Sequence, residues 1–409
     1  MSAKAPFRLL DITRLVARAG GRPLTGIDRV ERAYLAALIA RQDPFALICR
    51  TAAGVLILGS DTAPKLLAWV DDTGTIPRAS LLGRTLARSH CTPGLEAALR
   101  PLALARLRCA RMADWLATWL PMGIRYLNVG HTNLTGQTLG QLRRVPGLTV
   151  AVMIHDTIPL DYPEYSAARA PAEFREKLSA VVRHANLILC TSAAVEADVR
   201  RWAGIFGAIP LTRIAHLGVE VVAPDSALVP LTFDLTRPYF VALGTIEPRK
   251  DHALLLDVWA RFHVTLPQDE TPWLFILGRR GWKNDTVFSR LDAAPFIGKT
   301  VIEAADLADG GVAAILPGAC GFLAPSRAEG YGLPAAEAAS LGVPVLATDL
   351  PVTREILGAY PIYAPAGDMY AWANMIRILA LRAKSPRLRP IPAKVPDWAG
   401  HFNLVFKWV

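Results

Sequence analysis

Although 52% of its 409 residues are hydrophobic, the sequence has no uninterrupted apolar run near the roughly 18 residues that a membrane-spanning helix needs. A soluble or peripheral protein is expected. Met1 to Arg18 is basic but lacks an apolar stretch followed by a small-residue cleavage site, so no export signal is read. The cytoplasm is the expected compartment, with peripheral contact at the inner membrane face left open. Cysteine is scarce: Cys49, Cys91, Cys109, Cys190 and Cys320 are scattered and never spaced C-x-x-C, which argues against zinc or dithiol redox chemistry and leaves idle thiols. No G-x-G-x-x-G follows an early strand with an acid about 20 residues on, so a dinucleotide oxidoreductase is unsupported. Aromatic and basic residues never combine into an RNA-binding motif, zinc-finger spacing is missing, and nucleic acid is not an expected partner. No D-x-D-like metal motif stands in a convincing context, and no internal repeat is visible.

What the chain does have is length and positive charge. Its 409 residues suffice for two domains of ordinary size, and a charged fraction of 20% fits a folded protein. A net charge of +10 favours anionic partners, among them nucleotide sugars and acidic membrane surfaces. Strand-like and helix-like segments alternate along the chain. In the first half, strands are expected at Phe7–Ile12, Phe45–Cys49, Tyr126–Val129, Leu148–Ile154 and Leu187–Cys190, with helices from Ile27 to Ala40 and near Ala172–His184. After the proline-bearing stretch Val222–Pro238 a second series begins: strands at Tyr239–Leu243, Trp273–Leu277, Gly321–Ala324 and Val343–Ala347, and helices at His252–Phe262, Leu333–Leu341 and Tyr370–Leu381. Such alternation predicts an α/β protein with two parallel, doubly wound sheets, whose ligands bind beyond the carboxyl ends of the strands. The stretch Pro101–Leu120, with Arg106, Arg108, Arg111, Trp115 and Trp119, reads as an amphipathic helix, core-facing by preference with membrane contact as the alternative. Pro386–Pro396 reads as a crossing linker.

The segment Pro325-Ser326-Arg327-Ala328-Glu329-Gly330-Tyr331-Gly332-Leu333-Pro334-Ala335-Ala336-Glu337 reads as strand end, glycine-rich turn and helix start, with Pro334 suited to a first helical turn. Free N–H groups there favour a diphosphate, and the two glutamates can accept hydrogen bonds from hydroxyls. A polyhydroxylated anion satisfies both. Gly244-Thr245-Ile246-Glu247-Pro248-Arg249-Lys250 follows another buried strand and ends in adjacent cations, able to neutralise a departing diphosphate. His155 and Asp156 stand at the end of Leu148–Ile154, a polar pair at a strand terminus. His131, after Tyr126–Val129, is a weaker case of the same kind, equally readable as a core histidine. Thr25-Gly26-Ile27-Asp28-Arg29 opens a helix, where Gly26 permits close backbone approach and Arg29 can hold an anion. Gly278-Arg279-Arg280-Gly281-Trp282 follows a further strand and offers two more cations.

Motif and context together resemble the E-x7-E region of retaining GT-B glycosyltransferases, most closely glycosyltransferase family four. The resemblance implies two Rossmann-like domains facing a central cleft: residues 1–230, acceptor-side and joined by a returning segment 395–409, and residues 231–394, which bind the nucleotide sugar. It implies retaining, metal-independent transfer of a hexose from a nucleotide diphosphate sugar to a saccharide or lipid-linked saccharide in surface polysaccharide synthesis, with no cofactor. Resemblance to bacterial polysaccharide mannosyltransferases suggests GDP-mannose as donor, with UDP- and dTDP-sugars open. The catalytic candidates are then Glu329, Arg249, Lys250 and His155; Gly26, Gly332, Leu333, Glu337, Gly278 and Arg279 are donor-binding candidates; Asp156, His131 and Arg29 are acceptor candidates. Thr245 departs from the family, several members of which carry a basic residue there. The alternative reading is a non-catalytic nucleotide-sugar-binding or assembly module on the same fold.

Overall fold

The computed structural model describes residues 5–18, 24–71, 74–76, 93–119, 123–207, 210–382 and 390–409. Its first sheet contains Arg8–Asp11 (β1), Phe45–Thr51 (β2), Gly54–Gly59 (β3), Ala103–Leu107 (β4), Arg125–Asn128 (β5), Thr149–Ile154 (β6), Leu187–Cys190 (β7) and Leu211–Ile214 (β8), in the order β4-β3-β2-β1-β5-β6-β7-β8. Strand β3 runs antiparallel to β2 and β4; the other pairings are parallel. The second sheet contains Tyr239–Leu243 (β9), Trp273–Leu277 (β10), Val301–Ala304 (β11), Gly321–Ala324 (β12), Val345–Thr348 (β13) and Ile362–Ala364 (β14). Its order is β11-β10-β9-β12-β13-β14 and every pairing is parallel.

Central strands covered by helices on both faces must be apolar at every position, because successive side chains point to opposite sides. Strand β9 shows this. Tyr239 and Val241 pack into one hydrophobic layer, while Phe240 and Ala242 enter the other beside Trp259, Phe262 and Trp372. In each sheet the strand order reverses once near the middle, between β1 and β5 and between β9 and β12. Those two places leave crevices beyond the strand ends, where α/β folds take their ligands.

The stretch 101–119 corrects the sequence reading. It is not one helix: Ala103–Leu107 is the edge strand β4, and a helix begins only at Met112. Leu104 and Arg106 are exposed while Ala103, Ala105 and Leu107 are partly covered, a period of two rather than 3.6. Leu120 lies outside the described residues, as do Cys91 and Pro386 to Arg389. From Pro390 onward the chain runs along the second domain, Ala393 donating its N–H to the Ala339 carbonyl at 2.9 Å, and then reaches Val219, whose N–H donates to Pro396 O at 2.9 Å.

The final helix, Trp398–Trp408, lies against the first domain. Tyr34 meets the rings of His401, Phe402 and Phe406 edge-on, and its hydroxyl bonds His401 Nε2 at 2.8 Å. His401 Nδ1 must donate to the His216 carbonyl, 2.8 Å away, so Nε2 is left to accept from Tyr34. Arg8 closes the end of the helix, donating from Nη2 to Val409 O at 2.9 Å and Phe406 O at 3.2 Å. Truncating a buried aromatic that fills such a junction typically costs about 3–5 kcal/mol. Tyr34→Ala is therefore expected to lower the urea unfolding midpoint by a corresponding amount, and a midpoint within error of wild type would show that this helix adds nothing to stability.

Candidate active site

Glu329 lies just past the end of β12, and Arg249 and Lys250 lie in the turn after β9. The strands are neighbours, so the three side chains converge. Lys250 Nζ meets Glu329 Oε1 at 2.5 Å and Arg249 Nη1 meets Oε2 at 2.8 Å, while the Ser326 hydroxyl donates to Oε1 at 2.7 Å. Arg249 also holds Glu247 through Nε at 2.7 Å and donates to the Ala328 carbonyl at 3.1 Å. Its Nη2 has no partner among the described residues. Burial alone would raise the Glu329 pKa, but Lys250 and Arg249 overcome it and hold the carboxyl at about 2. Desolvation works against the Arg249 charge, yet Glu329, Glu247 and Asp156 together push its pKa up.

Two backbone features make this possible. Gly244, with φ of 140°, lies under the Lys250 side chain, and a Cβ there would press on Lys250 Cε at 3.3 Å. Gly278 packs its own backbone onto the Gly244 carbonyl, leaving no space for a Cβ. Gly332 stands in the left-handed region at φ of 87° and precedes the helix Leu333–Ser340 with open space beside it. A glycine suits that conformation without steric cost. The Leu333 N–H consequently has no acceptor among the described residues.

The first domain supplies the opposite wall. The β-carbon that Gly330 lacks would strike the His155 carbonyl and Asp156, so the glutamate turn sits directly on the end of β6. Thr191 ties the two together, its hydroxyl lying 3.1 Å from His155 O and 3.4 Å from Gly330 O. His155 Nε2 donates to the Val129 carbonyl at 2.7 Å, which leaves Nδ1 as a lone-pair acceptor with no partner among the described residues. Burial lowers the His155 pKa to about 4, so the ring is neutral at physiological pH. Asp156 accepts the Ile158 N–H at 3.1 Å; burial raises its pKa while Arg249 across the cleft opposes the rise.

The remaining candidates fall at different distances from this cluster. Gly26 faces the second domain, where an added Cβ would meet Leu333 Cδ1 at 3.7 Å. Arg29 crosses the cleft to Glu337 at 2.7 Å and Asp309 at 2.8 Å, so its guanidinium is held by carboxylates rather than turned toward an open acceptor surface. His131 is buried behind His155, accepting the His155 N–H on Nε2 at 3.1 Å with the rings 4.8 Å apart. It supports that histidine instead of presenting a face to an acceptor. Arg279 pairs with Asp306, and Arg280 with Glu303 and Asp292, so these cations are engaged outside the hydrogen bonds around Glu329. Ser326, Glu247 and Thr191 were not singled out from the sequence. The first two stand inside the motifs that were, and position was the only signal; Thr191 is in contact solely through the fold.

Among the described residues no group of three or more His, Cys, Asp or Glu side chains could hold a metal ion, and no helix is long and apolar enough to cross a membrane.

Residues 228–387, which carry all of β9 to β14 with Arg249, Lys250, Glu329 and Glu337, match the family described as glycosyl transferases group 1. The chain is 31% identical over 233 residues to the serotype-specific mannosyltransferase WbdA of Escherichia coli, covering 54% of this chain and 28% of that protein. It is 26% identical over 226 residues to the O-antigen chain mannosyltransferase B of Escherichia coli, covering 53% of this chain and 57% of that one. The match therefore spans well under two thirds of either relative. Among solved structures, sucrose-phosphate synthase from Thermosynechococcus elongatus superimposes with a TM-score of 0.60 at 16% identity, over 98% of this chain and 93% of that one. HepE of Anabaena, in complex with UDP-glucose, gives 0.58 at 14% identity over 99% of both chains. The fold is GT-B.

The depressed pKa of Glu329 fixes a pH dependence. An ordinary glutamate in the unfolded chain takes up its proton near 4.5 whereas the folded one waits until about 2, so the stability it contributes is complete above 4.5 and fades as pH falls between those values. Glu329→Gln should destabilise the protein at neutral pH by leaving two cations without their acid, and the gap to wild type should narrow on acidification. Urea unfolding of both proteins over that range checks this; a gap independent of pH would sink it.

Proposed function

We propose that this protein is a retaining, metal-independent glycosyltransferase that moves a hexose from a nucleotide diphosphate sugar to a saccharide or lipid-linked saccharide during polysaccharide synthesis. The observation that carries the reading is the convergence of Arg249, Lys250 and Glu329 at the switch point of the second sheet, facing His155 and Asp156 across the cleft. We place the domain limits at 1–230 with 395–409, and 231–394.

Transfer breaks the bond between the anomeric carbon and the diphosphate oxygen, and negative charge grows on the diphosphate as it leaves. Preorganised donors aimed at that charge act without reorganising during the reaction. Lys250, the unpaired Nη2 of Arg249 and the Leu333 N–H are such donors, and none of them requires a metal. The acceptor hydroxyl forms the new bond and its proton departs with the diphosphate. Glu329 receives no covalent role, because three side-chain donors already hold it. We assign its remaining lone pairs to hydroxyls of the transferred sugar. Neutral His155 accepts a further sugar hydroxyl on Nδ1, Asp156 faces the acceptor, and Glu337 accepts from the ribose. Contact between the walls keeps water from the anomeric carbon. The relatives are named mannosyltransferases, which supports mannose as the sugar and GDP-mannose as the first donor to try; HepE, a likeness in fold, was solved with UDP-glucose.

Incubating the purified protein with a panel of nucleotide sugars and candidate saccharide acceptors tests the reading. Acceptor-dependent release of nucleoside diphosphate is expected, and Lys250→Ala should lower it by about 10²-fold, the usual effect of removing one donor from developing negative charge. Tight nucleotide binding with no transfer to any acceptor would instead favour a binding or assembly module. Wild-type turnover in both Lys250→Ala and Glu329→Gln would remove the site assignment.

A further inference from the structure

Arg29 stands on the first turn of the helix Gly26–Arg41, and the Asp28 carboxylate fixes that turn by accepting the Thr25 N–H at 2.8 Å and the Thr25 hydroxyl at 2.6 Å while pairing with Arg14 at 2.5 Å. From this anchored position the Arg29 guanidinium crosses to the second domain. Nη1 donates to Glu337 Oε1 at 2.7 Å and Nη2 meets Asp309 Oδ1 at 2.8 Å. Glu337 is only 8% exposed, yet its Oε2 has no hydrogen-bond partner among the described residues and is not sealed from solvent. A carboxylate with one oxygen fixed by a planar guanidinium and the other open accepts hydroxyl protons from a defined direction. The vicinal hydroxyls of a ribose match such an acceptor.

We propose that Arg29 is a positioning residue for the donor's nucleoside: reaching from the opposite domain, it fixes Glu337 so that Oε2 accepts hydrogen bonds from the ribose of a nucleoside diphosphate sugar. The proposal rests on the donor-site reading above. The charged groups facing Glu337 are Arg29, Asp309 and Glu220. Burial raises the Glu337 pKa, Arg29 opposes the rise, and the two acids add to it, so the ion needed to accept ribose protons persists to lower pH when Arg29 is present. Without Arg29 the carboxyl both turns freely and takes up its proton at higher pH. Because the two partners belong to different domains, the ribose grip is complete only where the domains meet.

Calorimetric titration of the full chain with UDP and GDP, and with their 2′,3′-dideoxy analogues, tests this across acid to neutral pH. Wild type is expected to bind one ribonucleotide about tenfold more tightly than its dideoxy analogue, the usual worth of hydrogen bonds to a charged group. In Arg29→Ala that preference should shrink to about twofold or less and fade at higher pH than in wild type, while affinity for the dideoxy analogue stays the same. Arg29→Lys, which keeps the charge but loses the fork, should recover part of the preference, and it carries the test if the alanine variant does not fold. A purely structural role for Arg29 would weaken both nucleotides alike and overturns the proposal. So does a wild-type protein that binds nucleotide without ribose preference, or a preference and pH profile unmoved in the Arg29 variants; each leaves the donor site itself standing. A wild-type protein that binds neither nucleotide overturns the donor-site reading and this proposal with it.

Discussion

A carboxylate buried at the end of a sheet is costly unless opposite charge reaches it, and Glu329 is reached by two cations at once. Much of the surrounding backbone answers to that requirement. Lys250 can lie back toward Glu329 because Gly244 has no side chain in its way, and Arg249 can straddle Glu247 and Glu329 because the turn after β9 is pinned to the β10 loop through Ile246 N–H and Arg279 O at 2.8 Å. The same turn is also stitched to the loop after β12, Arg327 N–H donating to Arg249 O at 2.7 Å. Satisfying the acid does not exhaust the cations. Arginine carries five N–H donors and lysine three, so the cluster keeps positive hydrogen-bonding capacity after its internal pairs are made.

The facing wall follows a different electrostatic rule. Its histidines are buried and lowered in pKa, His155 to about 4, so they contribute neutral polar groups, while Asp156 beside them faces Arg249. His131, held at φ of 60°, uses its ring nitrogen on the backbone of His155 and thereby orients the neighbour that borders the cleft. One wall thus carries the cations and the other carries hydrogen-bond acceptors, a division that matches a ligand with an anionic end and a hydroxylated end. The walls are fixed by contacts away from the cluster as well: Glu355 accepts the N–H groups of Ala193 and Ala194 at 2.7 and 3.2 Å and meets His216 at 2.8 Å, while the Tyr331 hydroxyl donates to Leu217 O at 2.7 Å.

The sequence made the second domain legible because its signals are local. Strands β9, β10 and β12 are apolar runs with clear stops, and Glu329, Arg249 and Lys250 lie within a few residues of strand ends, so parallel pairing alone brings them together. Other features escaped, among them the short strands β8, β11 and β14. Strand β3 is an antiparallel ribbon with no crossover helix to announce it, and β4 was absorbed into a helix because its one arginine and two leucines, with the residues that follow, also fit a 3.6 period over a short window. Arg29 and Glu337 are 308 residues apart in sequence, and no pattern along the chain specifies that they meet. His131 stands open in the sequence between an acceptor group and a core histidine, because the left-handed backbone that folds it inward is invisible in residue order.

The two glutamates of the turn and helix are neutralised in opposite ways. Glu329 draws its cations from its own domain, through the loops that follow β9 and β12. Glu337 has its nearest cation across the cleft, and burial by the second domain without Arg29 would push it toward the neutral form. The two acids stand eight residues apart, yet only Glu337 draws its cation from the other domain. An acid held by the cations of its own domain thus lies beside an acid whose cation arrives from the other, and the cleft is electrostatically complete only with both domains in contact.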